Sequence, residues 1–528
     1  MELTGKNILG YTQSAKGETL FYAKNPSTGD QLKTPYHEAT QQEIDEAMAL
    51  AEAAFTEYRE KSGKEKAVFL ETIADELASL EQEIVAIGTQ ETGLPGGRLT
   101  GELGRTTGQL RLFASLLRDG SWVDARIDAA DPNRTPVPKP DTRQMQIALG
   151  PVGVFGASNF PLAFSAAGGD TASALAAGCT VVVKAHPAHP GTSELVGNAI
   201  IKAAKKCDMP NGVFSMVNGA SIAVGQAVVR HPLIKAIGFT GSFRGGKSLF
   251  DEAARREEPI PVYAEMGSSN PVFVLPGALK ENHQALAEGL SSSVQLGVGQ
   301  FCTNPGLTIV PEQEEGDLFE NILKESISGA ESATMLTESI QKAYNSGLEK
   351  LKAKATVASV SFGKKGEQQS QGVPEVLSVS ANDFLSDKEL EEEVFGPSTL
   401  LVKTQDKAEM IKIAKGLNGH LTATVQGTEA DLVEYADLLK ILERKVGRLL
   451  INGFPTGVEV CHSMVHGGPF PATSDARMTS VGTAAITRFT RPICYQNYPD
   501  ALLPEELKTA NPLNILRLEN GAYVLPKQ

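Results

Sequence analysis

The sequence predicts an α/β protein whose core is a parallel sheet wound with right-handed crossovers. Three observations predict it. From residue 147 onward, short apolar runs alternate with helical segments, the strand candidates being 152–155 (VGVF), 180–184 (TVVVK), 213–217 (VFSMV), 235–239 (KAIGF) and 261–264 (PVYA). Their centres stand roughly 20 to 35 residues apart, which leaves room for one crossover helix between each pair. Glycine, at 51 of 528 residues, exceeds the usual ~7% and suits a chain with many tight loops.

Composition bounds the class further. A length of 528 residues suggests roughly two to four units at about 150 residues per domain. Five cysteines (Cys179, Cys207, Cys302, Cys461 and Cys494), far apart and odd in number, argue against a disulfide framework and for a reducing, cytoplasmic setting. The start, MELTGKNILGYTQSAKG, has no basic region followed by an apolar core and so no secretory signal. No run approaches the ~18 apolar residues that cross a bilayer. With a net charge of −14 and no basic stripe, nucleic acid is excluded as a main partner.

Taken in order, the first hundred residues read as helices. Thr40 and Glu43 form a capping-box pattern, followed by Ile44, Met48, Ala51 and Phe55 on one face. A second helix carries Leu70, Ile73, Leu77, Leu80, Ile84 and Ile87 as a core-facing stripe. A third, near 101–117, leads to the single tryptophan, Trp122, and the proline-rich stretch 131–143 (DPNRTPVPKPDTR) is a linker or extended excursion. The parallel sheet follows. After 267 a second α/β region begins with a helix near 280–296 and alternates through about 460, and the tail from 486 has a β-rich start. No internal repeat is visible.

In wound sheets ligands bind beyond the carboxyl ends of the strands, so the residues just after each strand are the ones that matter. Gly241 to Gly246 (GSFRGG) follow the strand KAIGF and open a helix, where backbone N–H groups and the helix dipole favour an anion; the spacing is not G-x-G-x-x-G, and the alternative is a plain tight turn. The same stretch, GSFRGGKS, matches the phosphate-loop expression G-x-x-x-x-G-K-[ST]. Its position after the fourth strand candidate, with no aspartate-ending strand nearby to hold magnesium, weakens a nucleotide-phosphatase reading. Glu265, closing the strand PVYAE, points into the crevice as a candidate general base, with burial expected to raise its pKa toward neutrality. The alternative is a capping or salt-bridging glutamate. Cys302, in LGVGQFCTNPG, sits on a glycine-flanked loop among amide and hydroxyl neighbours, whereas the other four cysteines read as small apolar fillers. His462 and His466 (HSMVH) lack the glutamate of H-E-x-x-H and are not read as metal ligands. The acidic run Lys388–Glu393 reads as a solvated face except for its last member.

The segments ASNFP (157–161), FTGS (239–242), EMGSSNP (265–271), GQFCTNPG (299–306) and EEVFGP (392–397) resemble, in order and spacing, the aldehyde dehydrogenase superfamily over essentially the whole chain. The resemblance disposes of the phosphatase reading, because FTGS-x-x-x-G is that family's own coenzyme loop. It implies an aldehyde dehydrogenase-like fold with a Rossmann-type coenzyme domain (1–134 with 149–266), an α/β catalytic domain (267–465) and a small β bridging element. Residues 135–148 would supply the bridge, and 466–528 would return to the coenzyme domain and form a C-terminal oligomerisation tail. The resemblance implies Cys302 as nucleophile, forming a thiohemiacetal and then a thioester, Glu265 as the base that activates water, and Asn159 as an oxyanion donor beside the backbone N–H of Cys302. It implies coenzyme contacts at Lys184, His186, Gly241, Ser242, Gly246, Glu393 and Phe395, no metal, and a homodimer or homotetramer.

Two departures sharpen the expectation. Ser158 stands where many members have tryptophan, and Pro187 stands three residues after Lys184 where many carry a glutamate that repels a 2′-phosphate. A carboxylate missing beside Lys184 makes NADP⁺ acceptable, with NAD⁺ also used. The forms SNFPLAFS, GSSNPVF and GQFCTNPG resemble the 2-oxoglutarate semialdehyde (2,5-dioxopentanoate) dehydrogenases, and the NADP-linked fatty aldehyde dehydrogenases share parts of the pattern. The first implies oxidation of 2-oxoglutarate semialdehyde to 2-oxoglutarate, the second a medium-chain aldehyde substrate. Glu265 argues against acyl transfer to coenzyme A, and the trio Cys302, Glu265 and Asn159 argues against a non-catalytic relative.

Overall fold

A run such as Val181, Val182 and Val183 has no polar alternation, so it needs apolar cover on both faces. It receives it in the computed structural model, which describes residues 2–526. Val181–Lys184 lies fourth in a seven-stranded sheet ordered Val262–Glu265, Ala236–Thr240, Val152–Phe155, Val181–Lys184, Phe214–Val217, Asn7–Leu9, Thr12–Ser14. The first five strands are parallel. Val181 and Val183 pack beneath the helices Gly63–Ser79, Gly96–Asp119, Gly169–Ala177 and Pro190–Lys206, and Val182 packs beneath Gln41–Tyr58 and Ile222–Arg230.

The first hundred residues are not all helical. Asn7–Leu9 joins the large sheet antiparallel through Ile8 opposite Met216, and Leu20–Lys24 pairs with Gln31–His37. Strands of three to seven residues, most of them half-exposed, show too short an alternation to read as strands. The single helix expected through Leu70 to Ile87 is two, Gly63–Ser79 and Glu81–Thr92, broken where Leu80 leaves the helical conformation. Thr40 and Glu43 form the reciprocal capping box of Gln41–Tyr58.

The second sheet runs Ala358–Phe362, Glu375–Ser380, Ser398–Thr404, Leu307–Pro311, Val272–Val274, Thr422–Gln426, Arg448–Ile451, parallel but for its first strand. One face carries Pro276–Gln295 and Glu314–Gly329, the other Glu338–Lys352 and Lys407–Gly416. A third sheet of five strands joins Thr490–Gln496, Thr142–Ala148, Arg126–Asp128, Arg517–Glu519 and Ala522–Val524. It draws one strand, Arg126–Asp128, from before residue 135. The proline-rich stretch forms an exposed excursion closed by pairing of Asp131 with Lys139.

The segment 466–489 crosses back from the second sheet to the first. Thr473 pairs with Glu265, Met266 donates to the carbonyl of Ala472 at 2.8 Å, and Arg488 Nη1 meets Asp170 Oδ1 at 2.8 Å in the interior. This crossing sets one loop of the chain directly over the end of the Val262–Glu265 strand. Among the described residues no helix is long and apolar enough to cross a membrane.

Candidate active site

The loop that carries Cys302 is shaped by its backbone. After Pro276–Gln295, three successive residues take left-handed conformations, Gly297, Val298 and Gly299 at φ +58°, +59° and +63°. Valine rarely adopts that region, so the turn is held by its surroundings. Gly299 is required there, since a Cβ would lie 2.3 Å from the Gly396 carbonyl oxygen. Asn270 then fastens the loop, donating from Nδ2 to the carbonyls of Cys302 and Asn304 at 2.9 Å each. Asn304 Nδ2 in turn donates to the Gly396 carbonyl at 3.1 Å. Asn159, on the loop after Val152–Phe155, donates from Nδ2 to the Gln300 carbonyl at 3.1 Å, so its amide faces the same loop.

Glu265 closes its strand beneath this loop and is buried. Ser480 Oγ donates to its Oε2. His466 Nε2 lies 2.8 Å from Oε1, at ion-pair distance though not aligned as a hydrogen bond, and 3.3 Å from Cys302 Sγ. Thiol, imidazole and carboxylate thus share one point, with all three donor atoms within 4.8 Å of one another, a spacing that suits a shared proton or a metal ion. Burial alone would raise the Glu265 carboxyl. The facing His466, with hydrogen bonds from Ser480 and Cys302, outweighs it and holds the group below its ordinary value. The expectation of a Glu265 pKa raised toward neutrality is therefore corrected: partners overcome desolvation. The Cys302 thiol moves the opposite way, well up, through burial and the Glu265 charge. At neutral pH the proton rests on sulfur and the carboxylate is ionised.

His466 was not legible as a functional residue. It reaches Cys302 from 164 positions away in the chain, and its spacing to His462 carries no signal, because His462 turns aside to Thr483 Oγ1 at 3.3 Å. Nor are the other cysteines four core fillers. Only Cys179 is buried; Cys207 and Cys461 are half-buried and Cys494 is exposed on a strand with one solvated face.

Lys184 closes the strand Val181–Lys184, and Gly241 and Ser242 follow the strand Ala236–Thr240, all at the carboxyl edge of the parallel sheet. Lys184, half-exposed there, has no hydrogen-bond or ion-pair partner among the described residues. Burial pushes its pKa down to about 8 while the Glu38 charge opposes. His186 stacks on His189 with ring centres 5.3 Å apart, and burial drives its pKa well down, so the ring is neutral. Gly241 donates its N–H to the Glu265 carbonyl at 3.0 Å, and Ser242 caps the helix Phe243–Ala254 by accepting from Gly245 N–H at 3.2 Å. Gly246 is buried one turn in. A Cβ there would stand 2.6 Å from Met266 Cγ, so the glycine allows close helix–sheet packing. Lys247 pairs with Asp251 at 2.7 Å and is not free for a phosphate.

Glu393 lines a small pocket with Phe395, where desolvation of its carboxyl pushes it up to about 7 against a hydrogen bond from the Ser268 N–H. Gly267 makes room for it, since a Cβ there would lie 2.3 Å from Glu393 Oε2. The acidic run leading to Glu393 is not wholly a solvated face. Glu391 is buried, accepting from the Asn418 N–H at 2.6 Å and lying 3.1 Å from His420 Nε2. A capped helix start and an unpaired lysine at a strand end thus stand at the carboxyl edge of the wound sheet, where such sheets bind their ligands.

A Rossmann-type sheet facing an α/β unit that offers a cysteine to a buried carboxylate defines an NAD(P)-dependent oxidoreductase acting on the aldehyde group. The aldehyde dehydrogenase family model matches residues 11–474, and the chain belongs to that family. It is 49% identical over 522 residues to the alpha-ketoglutaric semialdehyde dehydrogenase 2 of Azospirillum brasilense, covering 99% of each chain. It is 48% identical over 487 residues to the alpha-ketoglutaric semialdehyde dehydrogenase of Acinetobacter baylyi, covering 92% of each. Among solved structures, the fold matches betaine aldehyde dehydrogenase of Staphylococcus aureus, in complex with NAD⁺, at TM-score 0.81 and 18% identity, over 96% of this chain and 99% of that one. It matches a 3,6-anhydro-L-galactose dehydrogenase in complex with NAP at TM-score 0.80 and 20% identity, over 93% and 99%.

Proposed function

We propose that the protein oxidises 2-oxoglutarate semialdehyde (2,5-dioxopentanoate, alpha-ketoglutaric semialdehyde) to 2-oxoglutarate, with NADP⁺ used at least as well as NAD⁺. The observation that carries the chemistry is the meeting of Cys302 Sγ, His466 Nε2 and the Glu265 carboxylate at one point. The substrate rests on near-half identity, end to end, to the Azospirillum relative.

The chain's own residues divide the work. The Cys302 thiol gives its proton to the Glu265–His466 pair that faces it, so that sulfur attacks the aldehyde carbon to give a thiohemiacetal. The developing oxyanion takes hydrogen bonds from the Asn159 amide and the Cys302 N–H. Lys184 at the adenosine ribose, Ser242 at the pyrophosphate and Glu393 at the nicotinamide ribose would hold a bound NAD(P)⁺, which would supply the hydride acceptor needed to take the adduct to a thioester. Glu265, ionised and fixed by Ser480, takes a proton from water, which attacks the thioester and releases the carboxylate product and the Cys302 sulfur.

NADP⁺ acceptance is supported by the unpaired Lys184 and by Pro187 in place of a repelling acid. A homodimer or homotetramer is supported by the outermost strand Thr490–Gln496, whose outer edge has no partner in its own sheet. A cytoplasmic setting is supported by five cysteines, none in a disulfide.

A second reading, a neutral medium-chain aldehyde, is favoured by the apolar wall of Phe160, Phe164, Phe301, Val458 and Val460 beside the thiol. Steady-state kinetics over 2-oxoglutarate semialdehyde and the hexanal-to-dodecanal series, with both coenzymes, tests the proposal. The expected result is highest kcat/KM for the acid semialdehyde and no NAD⁺ preference. Higher kcat/KM on the alkanals would overturn the substrate, and a preference of about 100-fold for NAD⁺, near 2.7 kcal/mol, would overturn the coenzyme reading.

A further inference from the structure

A guanidinium carries five N–H donors, and leaving buried donors unused is costly, so an unpartnered arginine beside an active site calls for an account. Arg105, on the helix Gly96–Asp119, is such a residue. Its Nε and Nη2 are buried without a hydrogen-bond partner, and it forms no ion pair among the described residues. The carboxylate on its own helix is committed elsewhere. Glu102 pairs with Arg98 at 2.7 Å and accepts the N–H groups of Leu162 and Ala163 at 2.9 Å each.

Arg105 instead lies over aromatic rings, 5.6 Å from the centre of Phe160 and 5.2 Å from that of Phe164. Phe160 meets Phe301, the residue before Cys302, edge-on at 5.5 Å, and Phe164 stands 6.1 Å from the His466 ring. The guanidinium is therefore part of the wall beside the thiol, and its charge acts on the Cys302 and Glu265 groups. Arg448 also acts on Cys302, but its Nη1 and Nη2 are spent on the carbonyls of Gly457 and Pro455.

We infer that Arg105 is the subsite for a carboxylate at the far end of the aldehyde substrate, engaging it through the unused Nε–Nη2 edge while Phe160 and Phe164 hold the carbon chain. That edge presents two parallel N–H groups, the geometry that matches both oxygens of a carboxylate. The ligand class is a short aliphatic aldehyde carrying a terminal carboxylate. This rests on the proposed aldehyde site and explains how an acidic substrate is held by a protein of net charge −14.

The test compares wild type, R105M and R105K in kcat/KM for 2-oxoglutarate semialdehyde and for pentanal, and in 2-oxoglutarate affinity by calorimetry. In R105M the acid-to-neutral ratio of kcat/KM is expected to fall on the order of 100-fold, mainly through KM, with 2-oxoglutarate binding lost. R105K keeps the charge but loses the paired edge, so its ratio falls about tenfold. It carries the test alone if R105M does not fold. Equal losses on both aldehydes, or 2-oxoglutarate binding unchanged in R105K, would overturn the subsite. A wild type that prefers pentanal would instead overturn the proposed substrate, a separate outcome read before any variant.

Discussion

His466 Nε2 stands 3.3 Å from Cys302 Sγ and 2.8 Å from Glu265 Oε1, so a single imidazole nitrogen faces both the thiol and the carboxylate. Burial and the Glu265 charge hold the thiol protonated, and the Glu265–His466 pair is positioned to take that proton as sulfur attacks. His466→Gln should therefore lower kcat/KM by about 10²- to 10⁴-fold. The rate of Cys302 alkylation by iodoacetamide at neutral pH should fall with it, while coenzyme affinity stays unchanged. Unaltered alkylation would remove His466 from the proton path.

Glu265 affects Cys302 in two ways that one variant separates. Its negative charge raises the thiol pKa, so Glu265→Gln should move the alkylation midpoint to lower pH, toward the ordinary thiol value. The same change removes the water-activating base, so acyl-enzyme should accumulate, visible as a burst of reduced coenzyme followed by slow turnover. A midpoint shifted upward would contradict the assigned sign.

Lys184 ionises with a pKa of about 8. Its charge is present below that pH and is lost as pH rises through it, so a 2′-phosphate loses its partner on the alkaline side. The ratio of NADP⁺ to NAD⁺ affinity, measured by fluorescence titration between about pH 7 and pH 9, should fall with rising pH. In Lys184→Met the ratio should be low and flat.

Asn270 joins the end of the first sheet to the Cys302 loop through two hydrogen bonds from one amide nitrogen. Asn270→Ala leaves buried carbonyls unpaired and should cost about 1–3 kcal/mol by denaturant unfolding, with kcat reduced as the loop loses its register. Stability within about 0.5 kcal/mol of wild type would show that the loop is held without it.

Most of the fold was legible because its strands are β-branched, apolar and separated by helix-length gaps. Asn7–Leu9, buried but only three residues long, and the half-exposed Leu20–Lys24 were not, because strands so short borrow their stability from partners elsewhere in the chain. Cys302 and Glu265 stood out from a glycine-flanked loop and a strand end, and Asn159 from the family resemblance alone. His466 and Arg105 were hidden for different reasons. His466 gains its neighbours only when the 466–489 segment crosses between sheets, and Arg105 looks in sequence like any exposed charge on an amphipathic helix. Burial without a partner is a property of three dimensions. The direction of the Glu265 shift was misjudged for the same reason, since desolvation is foreseeable from a strand end and a facing imidazole is not.

The central claim is that Cys302 is the nucleophile. Cys302→Ala should abolish aldehyde oxidation while NADP⁺ binds with wild-type affinity in the same preparation, since the group removed is the thiol that bonds the aldehyde carbon. Turnover retained in that variant, with coenzyme bound, would contradict it.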